Sequence, residues 1–368
     1  MFAHLISYSN FHCSMFACGQ TLGHRLKNVS KPAKPSILYS RRTRRRFQEI
    51  GVAMTARIID GKALAAQVRQ QVAADVAQLR SAGKPVRLVA VLVGRSPAAC
   101  VYARNQALAC REVAVEYSLR ELPATVTQDE LDRLLRELAA DRSVTGIMLH
   151  LPLPEHLHTQ QAQYAIDVIK DVEGVNPSNI GHVVYGYSII APCTALAVLA
   201  LVESTAVSLR GAEATLVGAS RIAGKPTALL LTERGATVTL CHIHTRDLAA
   251  HTQRAEILIV AAGQAGLINR RHVRPGAVVI DVGINRLDTT DANGKTVRKT
   301  VGDVDFDSVA PLASWITPVP GGVGPMTLAM LLRNTVRAAR LVYGLEQPFG
   351  KIPGPVSCSE SRRELRIP

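Results

Sequence analysis

Ala214-Thr-Leu-Val-Gly-Ala-Ser-Arg-Ile-Ala-Gly-Lys-Pro226 decides how this chain is read. Its first residues form an apolar run of strand length ending at Gly218, and residues 224–234 read as a helix. Small residues lie between. A strand that passes through such a turn into a helix presents free backbone N–H groups and the positive end of the helix dipole to an anion. The spacing is not Gly-x-Gly-x-x-Gly, and a lone glycine turn is structural as often as it is ligand-binding. Downstream, Thr237, Thr239 and Cys241 mark a strand with polar alternation, and residues 257–262 and 277–281 are two further apolar strands. Strands alternating with helices in this way make a doubly wound, Rossmann-type unit.

Upstream the same alternation recurs. Leu64, Val68, Val72 and Val76 repeat by fours along an amphipathic helix over 61–82. Arg87-Leu-Val-Ala-Val-Leu-Val93 and Gly146-Ile-Met-Leu-His-Leu151 are apolar strands. Residues 102–113 and 128–140 read as helices, the second with Thr127 placed to cap it. The fold class is therefore α/β, with parallel sheets covered by helices on both faces.

At 368 residues, 47% hydrophobic and 20% charged, the chain is long enough for two domains with their own cores. No apolar stretch near membrane-spanning length lacks polar breaks. The net charge of +14 suggests nucleic acid until it is located. Residues 1–53 carry nine Lys or Arg against one acid, Glu49, which is +8 and leaves +6 for the rest. A basic extension says little about what the folded part binds. That extension reads either as the product of a mistaken start upstream of Met54 or as a presequence, the former preferred. The seven cysteines are scattered without metal-ligand spacing, which fits reduced thiols in the cytoplasm.

The run Ile316-Thr-Pro-Val-Pro-Gly-Gly-Val-Gly-Pro-Met-Thr327 holds three glycines and three prolines, a loop whose backbone can approach a flat ligand. An apolar helix over 328–343 follows. This wording resembles the signature loop of the bifunctional methylenetetrahydrofolate dehydrogenase/methenyltetrahydrofolate cyclohydrolase family. Three more segments match that family in order: Val101-Tyr-Ala-Arg-Asn-Gln106, Gly146-Ile-Met-Leu-His-Leu-Pro-Leu-Pro154 and Lys170-Asp-Val-Glu-Gly174. Asn179, Gly181 and Pro192-Cys193-Thr194 also fit. The resemblance covers residues 54–345. It implies a folate-binding catalytic domain over 54–194 plus 326–345 and an NAD(P)-binding domain over 195–325. The last helix returns to the first domain, and 346–368 is a loose tail.

The same resemblance assigns the site. Tyr102 stacks on the folate ring; Gln106 stands where the family has its catalytic lysine, and positions four apart share one helical face. Both are expected to face the cleft. His150 replaces the glutamine that partners the lysine, Glu173 replaces the pterin-gripping aspartate, and Ala99 replaces a serine. Pro320, Gly321, Gly322 and Pro325 belong to the substrate loop. Gly218, Ala219, Ser220, Ile243 and Ile284 fall on the cofactor side. Ala219 and Ile243 stand in place of the arginine and serine that hold the NADP 2′-phosphate, so stronger use of NAD is expected, unless Arg221, Lys225, His244 or Arg246 compensates.

Hydride transfer needs orientation and dryness, and survives loss of the lysine. Hydrolysis of the methenyl product needs a base; Gln106 is none, but the His150 imidazole is a candidate. The expected activity is oxidation of 5,10-methylenetetrahydrofolate with NADP or NAD, with hydrolysis to 10-formyltetrahydrofolate in question. A catalytically silent folate- and dinucleotide-binding regulator is the rival reading. A cytoplasmic homodimer without nucleic-acid or membrane partners is implied.

Overall fold

The computed structural model describes residues 56–290 and 296–348. The expected extension over 1–53 lies outside the described residues, as does the expected tail from residue 349.

β1 (Arg57–Ile58) leads into α1 (Gly61–Ser81). Asp60 opens α1 by accepting from the N–H groups of Lys62 and Ala63, both at 3.0 Å. β2 (Arg87–Val93) is buried from Leu88 onward, and α2 (Pro97–Glu112) follows. α2 starts earlier than the expected Tyr102. Ser96 accepts from Ala99 N–H at 3.2 Å and Pro97 supplies a first-turn φ, a pair that starts helices. β3 (Glu116–Leu122) has no apolar run and escapes a periodicity reading. α3 (Gln128–Ala140) opens with Thr127 and Glu130 capping each other reciprocally. β4 (Gly146–Leu149) is wholly buried. α4 (Thr159–Ala165), α5 (Pro177–Val184) and the apolar α6 (Cys193–Glu203) complete this half.

The second half runs β5 (Glu213–Val217), α7 (Gly224–Glu233), β6 (Thr237–Cys241), α8 (Leu248–Thr252), β7 (Ile257–Val260) and β8 (Val278–Asp281). Next come β9 (Asn285–Thr290), β10 (Thr296–Val301), α9 (Phe306–Val309), β11 (Trp315–Ile316) and α10 (Val323–Val342). α10 begins before the expected residue 328, because Pro325 sits in its first turn, where a missing N–H costs nothing.

Two parallel sheets result. One has the order β3-β2-β4; the other has β1-β11-β8-β7-β5-β6, and β9 and β10 form an antiparallel hairpin. β1 pairs with β11 through Arg57 and Trp315, so the first strand belongs to the larger sheet although α1 after it packs elsewhere. α10 packs on both α1 and α6, with Ala329, Met330, Leu332 and Val336 in one core with Val72, Val76 and Val198. Each Val, Leu or Met side chain buried there stabilises the fold by ~1.5–3 kcal/mol. In parallel sheets ligands collect beyond the carboxyl ends of strands. Those ends include Val93, Leu149, Val217, Cys241 and Asp281.

Candidate active site

His150 directly follows β4, and its N–H donates to the Val91 carbonyl at 2.9 Å, which fixes the residue to the sheet. Its ring meets Tyr102 edge-on, with centroids 5.8 Å apart and planes at 88°. His150 is 2% exposed, and Nε2 has no hydrogen-bond partner among the described residues. A bare buried nitrogen costs about 1–3 kcal/mol and calls for an explanation; a ligand's polar group is one. Burial pushes the imidazole down to about 4, so it is neutral at pH 7 and open to a proton.

Tyr102 takes the exposed position on α2 and Gln106 a fully buried one a turn away. The Gln106 amide donates to Met148 Sδ and its carbonyl accepts from the Tyr117 hydroxyl at 3.5 Å. Gln106 thus sits beneath Tyr102, held by side chains of β4 and β3. The Tyr102 phenol also contacts Gln106, and burial, then the Glu173 carboxylate, hold it well above its ordinary range.

Glu173 is half-buried beside it. Burial first, then Asp171, raise the Glu173 carboxyl to about 8, which leaves it protonated at neutral pH. The loop carrying it is built by Asp171, whose carboxylate accepts from Gly174 N–H (3.1 Å), Asn176 N–H (2.7 Å) and Asn179 Nδ2 (2.9 Å). Lys170 Nζ closes the end of α3 by donating to the carbonyls of Ala139 at 2.6 Å and Asp141 at 2.8 Å. From α10, Asn334 Nδ2 donates to the carbonyls of Val172 (2.9 Å) and Ala191 (3.0 Å).

The substrate loop contains a cis Val319–Pro320 bond, and Gly321 has φ +119°, open only to glycine at low cost. Backbones touch here: a Cβ on Gly61 would stand 1.9 Å from the Gly322 carbonyl oxygen. Pro320, Gly321, Gly322 and Pro325 line a cavity of about 190 Å³ with Ile284 and Thr300. Tyr102, His150 and Glu173 do not line it, so the predicted residues form two groups. A larger cavity of about 470 Å³ between Gln78, Lys84 and Arg340 holds none of the predicted residues.

On the dinucleotide side, Gly218 has φ +112°, and a Cβ there would lie 2.1 Å from the Ala261 carbonyl oxygen. Ser220 Oγ accepts from Gly224 N–H at 3.1 Å and shapes the entry to α7. The N–H groups of Ala219, Arg221 and Ile222 meet no acceptor among the described residues, which suits a pyrophosphate. Gly218 N–H donates to the Cys241 carbonyl at 2.9 Å, tying this turn to the end of β6, where Ile243 is 93% exposed. Ala219 and Ile243 offer no hydrogen bond from their side chains. Ile284, 66% exposed, belongs to the 190 Å³ cavity. These residues fit a dinucleotide.

Sequence reasoning ends a strand at residue 281, and singles out neither Asp303 nor Thr317. Asp303 lies in Val301-Gly-Asp-Val304, where nothing but the glycine beside an acid hints at a buried role. Their bonds are made by the fold, over long separations in the chain.

The family model for the tetrahydrofolate dehydrogenase/cyclohydrolase catalytic domain matches residues 59–173. The model for the NAD(P)-binding domain of the same family matches residues 192–343. "Bifunctional protein FolD" of Moorella thermoacetica is 47% identical over 287 residues, 78% of this chain and 100% of that protein. The crystal structure of the bifunctional enzyme FolD from Campylobacter jejuni is similar with a TM-score of 0.73 and 42% identity, over 77% of this chain and 99% of that one. FolD of Trypanosoma brucei, solved with NADP cofactor and inhibitor, has a TM-score of 0.73 at 35% identity, over 78% and 98%. Among these relatives nothing favours a silent binder.

Proposed function

The chain belongs to the tetrahydrofolate dehydrogenase/cyclohydrolase family, and from that premise we propose that it oxidises 5,10-methylenetetrahydrofolate with NAD(P) and hydrolyses the methenyl product to 10-formyltetrahydrofolate. The observation that carries the reading is the shared cavity: Ile284 from the dinucleotide half and the diglycine segment from the substrate loop border one space. A bound nicotinamide supplies a hydride acceptor there. The chain's own part is orientation and exclusion of water. Tyr102 presents its ring to the folate, Glu173 grips the pterin as a neutral acid, and Pro320 to Pro325 press the ligand toward Ile284.

For hydrolysis, Gln106 is buried and engaged with Met148 and Tyr117, and an amide takes no proton near neutrality. His150 Nε2 is the bare acceptor beside Tyr102. It takes the proton of the water that adds to the methenyl carbon. The burial that keeps it neutral also makes it a weaker base than a free imidazole. Steady-state assay of both reactions tests this; binding of folate and dinucleotide without turnover would refute it.

The finer cofactor reading is greater use of NAD, since Ala219 and Ile243 supply neither charge nor hydroxyl to a 2′-phosphate. A large kcat/KM preference for NADP would sink that. By family resemblance the chain works as a cytoplasmic homodimer supplying one-carbon units for purine biosynthesis, which sedimentation and localisation measurements test. No helix among the described residues is long and apolar enough to cross a membrane.

A further inference from the structure

Two buried carboxylates tie the loop that borders the cavity beside Ile284 to its neighbours. Asp281 and Asp303 are 3% and 0% exposed. Asp281 Oδ1 accepts from Gly283 N–H at 2.9 Å and Asp303 N–H at 3.0 Å, and Oδ2 accepts from Val304 N–H at 2.9 Å. Asp303 Oδ2 accepts from the consecutive N–H groups of Ala262 (2.7 Å) and Gly263 (2.8 Å), and Oδ1 from Asn285 Nδ2 at 2.8 Å. The loop after β7, the loop after β8 and the segment after β10 are thus pinned to one another. The packing leaves no slack: a Cβ on Gly283 would lie 2.2 Å from Asp303 Cγ, and one on Gly302 1.8 Å from Asp281 Oδ2.

One more bond leads across to the substrate loop. Asp281 N–H donates to Thr317 Oγ1 at 2.7 Å, and Thr317 is 1% exposed. A Cβ on Gly322 would stand 2.7 Å from Thr317 Cβ, so this side chain abuts the diglycine segment.

We propose that Asp303 is a positioning residue for hydride transfer: it fixes Gly283–Asn285 against the loop after β7, so that Ile284 meets the nicotinamide at one setting, and the Asp281–Thr317 bond extends that setting to the substrate loop. The inference rests on the dehydrogenase reading. Asp303 gives its oxygens to the protein and acts through Ile284.

Three variants test it in the full chain: Asp303→Asn, Thr317→Val and Thr317→Ser. Four quantities are read for each: dinucleotide Kd by calorimetry, kcat and KM for dehydrogenation, and the primary isotope effect with a deuterated methylene group. Asp303→Asn turns an amide N–H₂ toward backbone donors. Its dinucleotide Kd weakens roughly tenfold or more, its kcat falls, and its isotope effect departs from that of the unaltered chain. Thr317→Val keeps dinucleotide Kd, raises folate KM roughly tenfold and alters the isotope effect, while Thr317→Ser restores both. A folded Asp303→Asn with unchanged Kd, kcat and isotope effect overturns the proposal. If that variant does not fold, Thr317→Val decides, and unchanged folate KM and isotope effect overturn it. An unaltered chain that binds dinucleotide yet never turns over condemns the dehydrogenase reading instead, and the Kd comparison for Asp303→Asn still decides whether the loops are set by this carboxylate.

Discussion

His150 and Glu173 carry opposite protonation habits within one small volume. The imidazole is held neutral by burial, with its pKa near 4, and the carboxyl is held neutral by burial and Asp171, with its pKa near 8. Replacing His150 by Ala should lower methenyl hydrolysis by about a hundredfold or more, while dehydrogenation continues within a few-fold; equal loss of both would show that the residue only supports the fold. Glu173 also makes a stability prediction. Its folded pKa lies above the unfolded one of 4.5, so between pH 4.5 and 8 the folded state holds a proton that the unfolded state has released. Stability from this group therefore falls as pH rises through that window. Glu173→Gln should flatten the decline in thermal melts taken from pH 5 to pH 8. A decline that persists unchanged would place its origin elsewhere. The chemical identities at positions 106, 150 and 173 were legible in the sequence. The burial of Gln106 was not, because helical spacing gives a common face but not which neighbour, here Met148, occupies it.

Among the elements, the loop after β11 is held between α10, which follows it, and α1, which packs against it. α1 starts at Gly61 directly under the Gly322 carbonyl, and α10 starts at Val323. Gly61→Ala cannot be accommodated without moving that backbone. It should destabilise the protein by ~1–3 kcal/mol and raise the KM for folate more than that for dinucleotide, measurable by denaturant unfolding and steady-state kinetics. Asn334→Leu, on α10, leaves the carbonyls of Val172 and Ala191 without their donor and should cost about 1–3 kcal/mol, loosening the loop that carries Glu173. Apolar runs such as 87–93 and capping residues such as Thr127 told their elements in advance. β3 and the β9–β10 hairpin did not, since Glu116–Leu122 and Asn285–Thr290 are rich in polar residues and depend on pairing partners for their shape.

Across the described residues, α10 packs on α1 and α6 of the first half, and α6 in turn packs on α7 of the second. The α/β class and the doubly wound unit follow from local alternation. The enrolment of Arg57–Ile58 beside Trp315 does not, because that pairing spans most of the chain and two residues carry no periodicity. Cofactor choice belongs to this scale, where the ends of β5 and β6 converge through the Gly218–Cys241 bond. The double change Ala219→Arg with Ile243→Ser should shift the NADP-to-NAD ratio of kcat/KM roughly ten- to a hundredfold toward NADP. No shift would show that Arg221, Lys225, His244 or Arg246 already serves the phosphate. The most direct trial of the whole account is to mix the protein with 5,10-methylenetetrahydrofolate and oxidised dinucleotide and follow the near-ultraviolet band of reduced nicotinamide. Continuous, saturable reduction, matched one for one by oxidised folate, is the predicted result. Tight binding of both ligands with no reduced nicotinamide formed would contradict it.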